Sequence, residues 1–103
     1  MDDYATDDFD EYLAEQMKDP EYQAVYQDNH AREELLDALV RARKDAGITQ
    51  TEVARRLGIR QPTVSQIEAE GSDHRLSTLQ RYARAVGKVI HVEIQSVPLP
   101  PHG

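Results

Sequence analysis

The stretch from Thr49 to Glu68 constrains the fold most strongly, because it contains two short helical patterns on either side of a single glycine. Thr49 and Glu52 have the residue types and spacing of a capping box, with threonine at the N-cap and glutamate at N3. Gly58 is suited to end the helix that follows. The apolar residues expected on the inner face of this first helix are Val53, Ala54 and Leu57.

The second helix of this stretch is predicted to begin at Pro62. Proline disfavours helical geometry in the residue before it and suits the first helical position. Gln61 is then a boundary residue whose side chain projects from the helix tip, while Val64 and Ile67 are expected to be buried. Two helices of this length joined by a glycine-containing turn predict a helix-turn-helix.

The polar residues of the second helix are of types that recognise DNA. The major groove of B-DNA is about 12 Å wide and admits one helix, whose N-terminal residues meet the base edges. Glutamine pairs with adenine through N6 and N7, and the threonine methyl group suits thymine. We therefore predict that the base-reading residues are Gln61, Thr63 and Gln66.

Phosphate contacts are predicted close to these residues. The first turn of the preceding helix has free N–H groups and the positive end of the helix dipole, which together favour a phosphate. Arg60, at the turn, is suited to a phosphate or to guanine. The residues that we assign to phosphate binding are Gln50, Thr51, Arg60 and Ser65.

Apolar residues recur at helical spacing on both sides of this motif. The stripe before it stops at Gly47 and the stripe after it stops at Gly87, both suitable helix ends. Nearer the N-terminus, Asp19 is a good N-cap and Pro20 suits a first helical position, so the arm contains two short helices or one helix broken at that point. The two stripes consist of Leu35, Leu36, Leu39, Val40, Ala42 and Ala46, and of Leu76, Leu79, Ala83 and Val86.

Residues 88–95 show the period of a strand, since apolar and polar residues alternate there. The apolar positions are Ile90, Val92 and Ile94. A strand without a partner leaves its hydrogen-bonding groups unpaired, and the rest of the sequence predicts no second strand. We therefore predict a homodimer in which this strand pairs with its own copy across a two-fold axis. The alternative is an extension that lies on its own domain.

The charge of −7 is divided unevenly along the chain. Residues 1–30 contain ten acidic residues and one basic residue, a net charge of −9, whereas residues 31–103 contain nine acidic and eleven basic residues, a net charge of +2. Five of the six aromatic residues lie within the first 26. Aromatic residues are enriched at interface hot spots, and carboxylates complement a basic protein.

The arm is therefore predicted to bind a protein partner through Phe9, Tyr12, Tyr22 and Tyr26. Two alternatives remain open: these aromatic residues pack on the core, or the arm competes with DNA for the basic surface. We divide the chain into an acidic helical arm (1–30), a helix-turn-helix domain (31–87), a dimerisation strand (88–95) and a disordered tail (96–103). The predicted fold is mainly α-helical, with five helices and one C-terminal strand that pairs across a dimer.

Catalysis, cofactors and membranes are not indicated. The chain has no cysteine, its four histidines lack metal-ligand spacing, and no glycine-rich phosphate loop occurs. No apolar run approaches the roughly 20 residues of a membrane span, and the acidic N-terminus does not look like a signal peptide. We predict a cytoplasmic protein that is not an enzyme and that binds no metal or cofactor.

The segments "LVRARKDAGITQTEVARRLGIRQPTVSQIEAEG" and "LSTLQRYARAVG" resemble the Xre or phage-repressor helix-turn-helix family. In that family an arginine of the first helix pairs with the glutamate that ends the recognition helix, and the matching residues here are Arg43 and Glu68. The resemblance places the base readers at Gln61, Thr63 and Gln66 and a phosphate contact at Gln50. Pro62 departs from the polar residue often found at its position.

The order of segments along the whole chain indicates a particular group within this family. An acidic segment with "DPEY", the helix-turn-helix and then "GKVIHVEI" is similar to HigA-type antitoxins, and the terminal strand is similar to that of HipB-like antitoxins. This resemblance implies a repressor of its own operon that also neutralises a co-expressed toxin, usually a basic RelE/HigB-like ribonuclease acting on ribosome-bound mRNA. The alternative function is a stand-alone Xre-family transcriptional repressor without a toxin partner.

Overall fold

The computed structural model describes residues 11–99, which contain five helical segments. Residues 11–16 are helical and are the described part of α1. The others are α2 (Pro20–Asp45), α3 (Gln50–Leu57), α4 (Gln61–Glu68) and α5 (Leu76–Ala85). The mainly helical fold is thus confirmed. Contacts divide the chain into two compact units, and the larger unit, Arg32–Gln95, contains the helix-turn-helix.

The start of α2 follows the sequence prediction. Pro20 is its first residue, and Oδ1 of Asp19 accepts a hydrogen bond from the N–H of Glu21 at 2.9 Å. The helix then continues for 26 residues to Asp45. One helix therefore contains both the second helical pattern of the arm and the apolar stripe that leads into the helix-turn-helix.

The turn between α3 and α4 depends on the geometry of Gly58. Its φ of 72° lies in the left-handed region, where a side chain is disfavoured. This geometry lets the N–H of Ile59 reach the carbonyl oxygen of Ala54 at 3.0 Å. At the other end of α3, Oγ1 of Thr49 accepts from the N–H of Glu52 at 3.1 Å, as the capping box predicts. The sequence therefore encodes both ends of this helix.

The predicted start of α4 at Pro62 was wrong by one residue. The helix begins at Gln61, with Arg60 as the extended N-cap residue. The carbonyl oxygen of Arg60 accepts hydrogen bonds from the N–H groups of Thr63 at 3.0 Å and Val64 at 3.3 Å, so the helical ladder already includes Gln61. Pro62 still lies in the first turn, where its missing N–H leaves no helical bond unmade.

The core of the helix-turn-helix unit lies between α3, α4 and α5, together with the second half of α2. Val64 and Ile67 of α4 are buried, as predicted. Tyr82 of α5 is also fully buried, which the sequence interpretation did not foresee. Burying one large side chain contributes about 1.5–3 kcal/mol to the free energy of unfolding, so these contacts determine how α4 packs against the other helices. The buried apolar residues are Leu36, Leu39, Val53, Ala54, Val64, Ile67, Leu79, Tyr82, Ala83 and Val86.

The C-terminal segment forms no strand within the described part of the single chain. Ile90 packs at the edge of the core, whereas Val92 is 56% exposed and Ile94 is 95% exposed. The buried strand face that the alternation predicts is therefore absent from the single chain. Strand formation and pairing with a second copy remain predictions.

Candidate nucleic-acid interface

A buried ion pair lies behind the predicted reading helix. Nε of Arg43 donates to Oε2 of Glu68 at 2.7 Å, and Nη2 donates to Oε1 at 3.0 Å. The two side chains are only 10% and 7% exposed. Nη1 of Arg43 also donates to the carbonyl oxygen of Ile48 at 2.9 Å. The bidentate pair ties the end of α4 to α2 and fixes the plane of the carboxylate.

Two further donors complete the environment of Glu68. The hydroxyl group of Tyr82 donates to Oε2, and Nε2 of Gln50 donates to Oε1 at 2.9 Å. The carboxylate therefore accepts four hydrogen bonds, about as many as its two oxygens can take. Since the donors come from α2, α3 and α5, all three neighbouring helices are joined at the end of α4.

The protonation states of this cluster are set by burial and by these hydrogen bonds. Burial alone raises the pKa of Glu68, but hydrogen bonds from Arg43, Tyr82 and Gln50 bring that pKa below its ordinary value. Burial, and then the contact with Glu68, raises the pKa of Tyr82. At neutral pH Glu68 is therefore an anion that only accepts, and Tyr82 is a neutral donor.

The polar chain continues from the buried cluster to the tip of α4. Nε2 of Gln61 donates to Oε1 of Gln50 at 2.7 Å. Because the Glu68 carboxylate only accepts, Gln50 must direct its nitrogen towards Glu68 and its oxygen towards Gln61. The charge on Glu68 thus sets the orientation of both amides.

The amide of Gln61 keeps a donor and an acceptor for a ligand. Its oxygen and its second N–H make no hydrogen bond with residues 11–99. An adjacent donor and acceptor on one amide are the pattern that glutamine uses to bind N7 and N6 of adenine. Gln50 also has a second N–H, which is chemically able to meet a phosphate while its other atoms hold Gln61.

The remaining predicted DNA contacts are exposed on the same pair of helices. Thr63 and Gln66 lie three residues apart on α4, with Val64 and Ile67 buried on its inner face. The exposed residues assigned to phosphate are Thr51 in the first turn of α3, Arg60 at the N-cap of α4, and Ser65. From Thr49 to Gln66 the sequence has three arginines and one glutamate, so the local charge suits a nucleic acid.

That glutamate, Glu52, is itself neutralised by neighbours. Its carboxylate accepts hydrogen bonds from Arg55 and from Arg56, the latter at 2.9 Å. The hydrogen bonds from these arginines lower the pKa of Glu52 to about 2. Arg56 also donates to the carbonyl oxygen of Ala85 at 2.7 Å, which ties the end of α3 to the end of α5.

The aromatic residues assigned to a protein partner are only partly within the described residues. Tyr12 is 57% exposed and Tyr26 is 42% exposed, whereas Tyr22 is half-buried. The ring of Tyr26 stacks on His30 with centroids 6.4 Å apart. Phe9 lies outside the described residues. Within residues 11–99, no cluster of histidine and acidic residues could hold a metal ion, and no helix has the length and apolar character to cross a membrane.

Sequence reasoning did not find two parts of this site. Tyr82 lies in the apolar stripe of α5, three residues after Leu79, and that spacing was a usable signal of burial. Gln50 was assigned to phosphate because of its place in the first turn of α3. Its bridging contact between Glu68 and Gln61 depends on how the helices pack, and a sequence pattern does not contain that information.

The fold and the buried cluster define a helix-turn-helix protein. Residues 39–89 match the family described as Helix-turn-helix and belong to it, a family of DNA-binding domains. The chain is also 49% identical over 81 residues to Antitoxin HigA1 of Mycobacterium tuberculosis, both in strain CDC 1551 / Oshkosh and in strain ATCC 25618 / H37Rv. The predicted Xre-type helix-turn-helix of the HigA type is thereby confirmed.

The similarity to these relatives covers unequal shares of the two proteins. It includes 78% of this chain but 54% of the relative, so the chain spans about half the length of the curated relatives it matches. No solved structure matches the chain significantly.

Proposed function

We propose that the chain binds double-stranded operator DNA and reads its sequence with the N-terminal part of α4. The observation that carries this proposal is the hydrogen-bonded chain from Glu68 through Gln50 to Gln61. It holds one glutamine amide at the helix tip in a defined orientation before any ligand arrives. Such preorganisation reduces the ordering cost of binding.

In this proposal each residue has a chemical role. Gln61 binds the N6 and N7 edge of an adenine, and Thr63 and Gln66 read neighbouring base pairs on the same side of the helix. Gln50, Thr51, Arg60 and Ser65 contact phosphates and fix the register of the helix on the duplex. Arg43 and Glu68 support the helix from behind and touch no DNA.

We extend the proposal to a homodimer. Val92 and Ile94 are exposed in the single chain, and the polar groups of residues 88–95 are in no ladder within the described residues. Pairing of this segment with its copy would cover the apolar side chains and satisfy the backbone. Two half-sites would then lie roughly 34–36 Å apart, which is one turn of DNA.

The proposed physiological role is that of an antitoxin which represses its own operon and neutralises a basic RelE/HigB-like toxin. Two observations support it: the relatives that match the chain are named antitoxins, and the acidic arm exposes Tyr12 and Tyr26. A surface of aromatic rings among carboxylates suits a basic protein.

Three measurements test this role. The protein, purified from its native cell, should bring with it a small basic protein, and it should bind the DNA upstream of its own gene. Replacing both Tyr12 and Tyr26 with alanine should weaken the protein contact and leave DNA binding unchanged. Recovery of no protein partner together with intact DNA binding would instead favour the stand-alone repressor.

A further inference from the structure

The hydroxyl group of Tyr82, on α5, joins the series of hydrogen bonds that runs from Glu68 through Gln50 to Gln61. The side chain of Tyr82 is 0% exposed, and its hydroxyl group donates to Oε2 of Glu68. A buried leucine or phenylalanine would supply apolar contact at this place without bringing a donor to a carboxylate. The hydroxyl group therefore contributes something that packing alone does not require.

The two oxygens of Glu68 have different partners. Oε2 accepts from Nε of Arg43 and from Tyr82, whereas Oε1 accepts from Nη2 of Arg43 and from Gln50. Without the hydroxyl group, Oε2 would have a vacant acceptor position in a buried site, which is unfavourable. Arg43 is also held by the carbonyl oxygen of Ile48, so the amide of Gln50 is the partner with more freedom to respond.

We propose that Tyr82 is a positioning residue for DNA reading. Its hydroxyl group satisfies Oε2 of Glu68, which keeps the Gln50 amide on Oε1, and Gln50 in turn holds Gln61 at the helix tip. The consequence for DNA rests on the proposed function above. The coupling between Tyr82 and the two glutamines is a property of the free protein and can be measured without DNA. Hydrogen bonds in such a chain strengthen one another, so the loss of one is felt at the next.

The first experiment measures this coupling in the free protein. The side-chain amide signals of Gln50 and Gln61 are followed by ¹⁵N NMR in the parent protein and in Tyr82→Phe. Both signals should move towards the values of solvent-exposed glutamine amides. The signals of Gln66, which is exposed on the same helix as Gln61, should stay in place.

A matched variant separates this effect from simple destabilisation. Leu79→Val removes one buried methylene group from the same helix and leaves the hydroxyl group of Tyr82 in place. It should lower thermal stability without moving the Gln50 and Gln61 signals. Unmoved glutamine signals in Tyr82→Phe, or equal movement in Leu79→Val, would overturn the proposal.

The second experiment measures the effect on DNA. Binding is compared between a selected operator and the same operator changed at the base pair read by Gln61. Tyr82→Phe should reduce this discrimination by about threefold to tenfold, the size expected for one buried hydrogen bond, and should lower affinity for random DNA no more than Gln50→Ala does through its lost phosphate contact. In a Gln61→Ala background the same substitution should cause no further loss of discrimination.

Each outcome of the DNA experiment has a distinct meaning. An equal loss of affinity for every DNA sequence with unchanged discrimination, or a further loss of discrimination in the Gln61→Ala background, would overturn the proposal and assign Tyr82 a purely structural role. If the parent protein has no sequence preference, the proposed DNA-reading function fails, and the glutamine signals in the free protein still decide whether Tyr82 is coupled to Gln61.

A second replacement keeps the test decisive if Tyr82→Phe does not fold. Incorporation of 3-fluorotyrosine at position 82 retains the ring and makes the hydroxyl group more acidic, hence a stronger donor. The side-chain amide signals of Gln50 and Gln61 should then shift while those of Gln66 remain unchanged. Unshifted Gln50 and Gln61 signals in a folded fluorinated protein would contradict the proposal.

Discussion

The amide nitrogen of Gln61, at the tip of α4, donates to the amide oxygen of Gln50, in the first turn of α3, at 2.7 Å. The second partner of Gln50 is the buried carboxylate of Glu68. The orientation of a side chain at the surface is therefore determined by a charge in the interior. This relationship connects the stability of the domain to its proposed reading of DNA.

Replacing Glu68 with glutamine should destabilise the protein strongly. The substitution removes the negative charge that compensates Arg43, whose side chain is only 10% exposed. Breaking a buried pair in this way costs about 3 kcal/mol or more of the free energy of unfolding, measurable by urea titration. Glu70→Gln, at an exposed position two residues later, is the control and should change stability by less than about 0.5 kcal/mol. Equal stability of the two variants would show that the ion pair contributes little.

Acid should destabilise the protein through the same carboxylate. The folded-state pKa of Glu68 lies below its ordinary value of 4.5, so the unfolded state binds a proton more readily than the folded state. The stabilising contribution of Glu68 is complete above pH 4.5 and is lost as the pH falls through the lower, folded-state pKa. Urea titrations at several pH values below 5 should show that the free energy of unfolding decreases as the pH falls.

Two variants show whether Glu68 causes this acid dependence of the free energy of unfolding. Glu68→Gln should flatten the acid dependence. Glu52→Gln removes the other carboxylate of residues 11–99 with a lowered pKa and should leave the contribution of Glu68 in place. An unchanged acid slope in Glu68→Gln would show that other groups cause it.

The turn of the helix-turn-helix should be sensitive to any side chain at Gly58. The residue has a φ of 72°, and a Cβ there would meet no atom within 4 Å, so only the backbone conformation opposes substitution. Gly58→Ala should cost about 1–2 kcal/mol in the free energy of unfolding. Gly58→Asn should cost less, because asparagine tolerates the left-handed region. If Gly58→Ala had the same free energy of unfolding as Gly58→Asn, that result would argue against the left-handed geometry of this turn.

The proposed strand pairing predicts that Ile94 contributes to association of two copies and not to the stability of one copy. Its side chain is 95% exposed in the single chain, so Ile94→Glu should leave the fold of one copy intact. In a paired strand the glutamate would lie at the interface, and analytical ultracentrifugation should show a shift from dimer to monomer. Gln95→Glu, which adds the same charge on the other strand face, should have a smaller effect. A monomeric parent protein would refute the pairing.

The sequence predicts the helices well because local rules determine their ends. Thr49 caps α3 and Pro20 begins α2, as their residue types indicate. The predicted start of α4 is one residue late, because the helix begins at Gln61 although proline follows that residue. The carbonyl oxygen of Arg60 already accepts the first helical bonds, and this depends on local geometry.

The candidate site was less predictable for a different physical reason. The residue types at Gln61, Thr63 and Gln66 suggest DNA reading, but they do not show what holds them. The contacts that position Gln61 join residues 11 and 18 positions apart in sequence, from Gln61 to Gln50 and from Gln50 to Glu68. Such contacts arise only from packing of the helices. The same holds for residues 88–95, where a strand and its pairing with another chain remain predictions.

The most direct test of DNA reading is an operator selection followed by binding of two variants. Gln61→Ala should lose about 1–3 kcal/mol of discrimination at one base pair and bind random DNA like the parent protein. Gln50→Ala should show the same loss at that base pair, because it releases Gln61, together with weaker binding to all sequences through the lost phosphate contact. If Gln61→Ala binds the selected operator as tightly and as selectively as the parent protein, then α4 does not read DNA through Gln61.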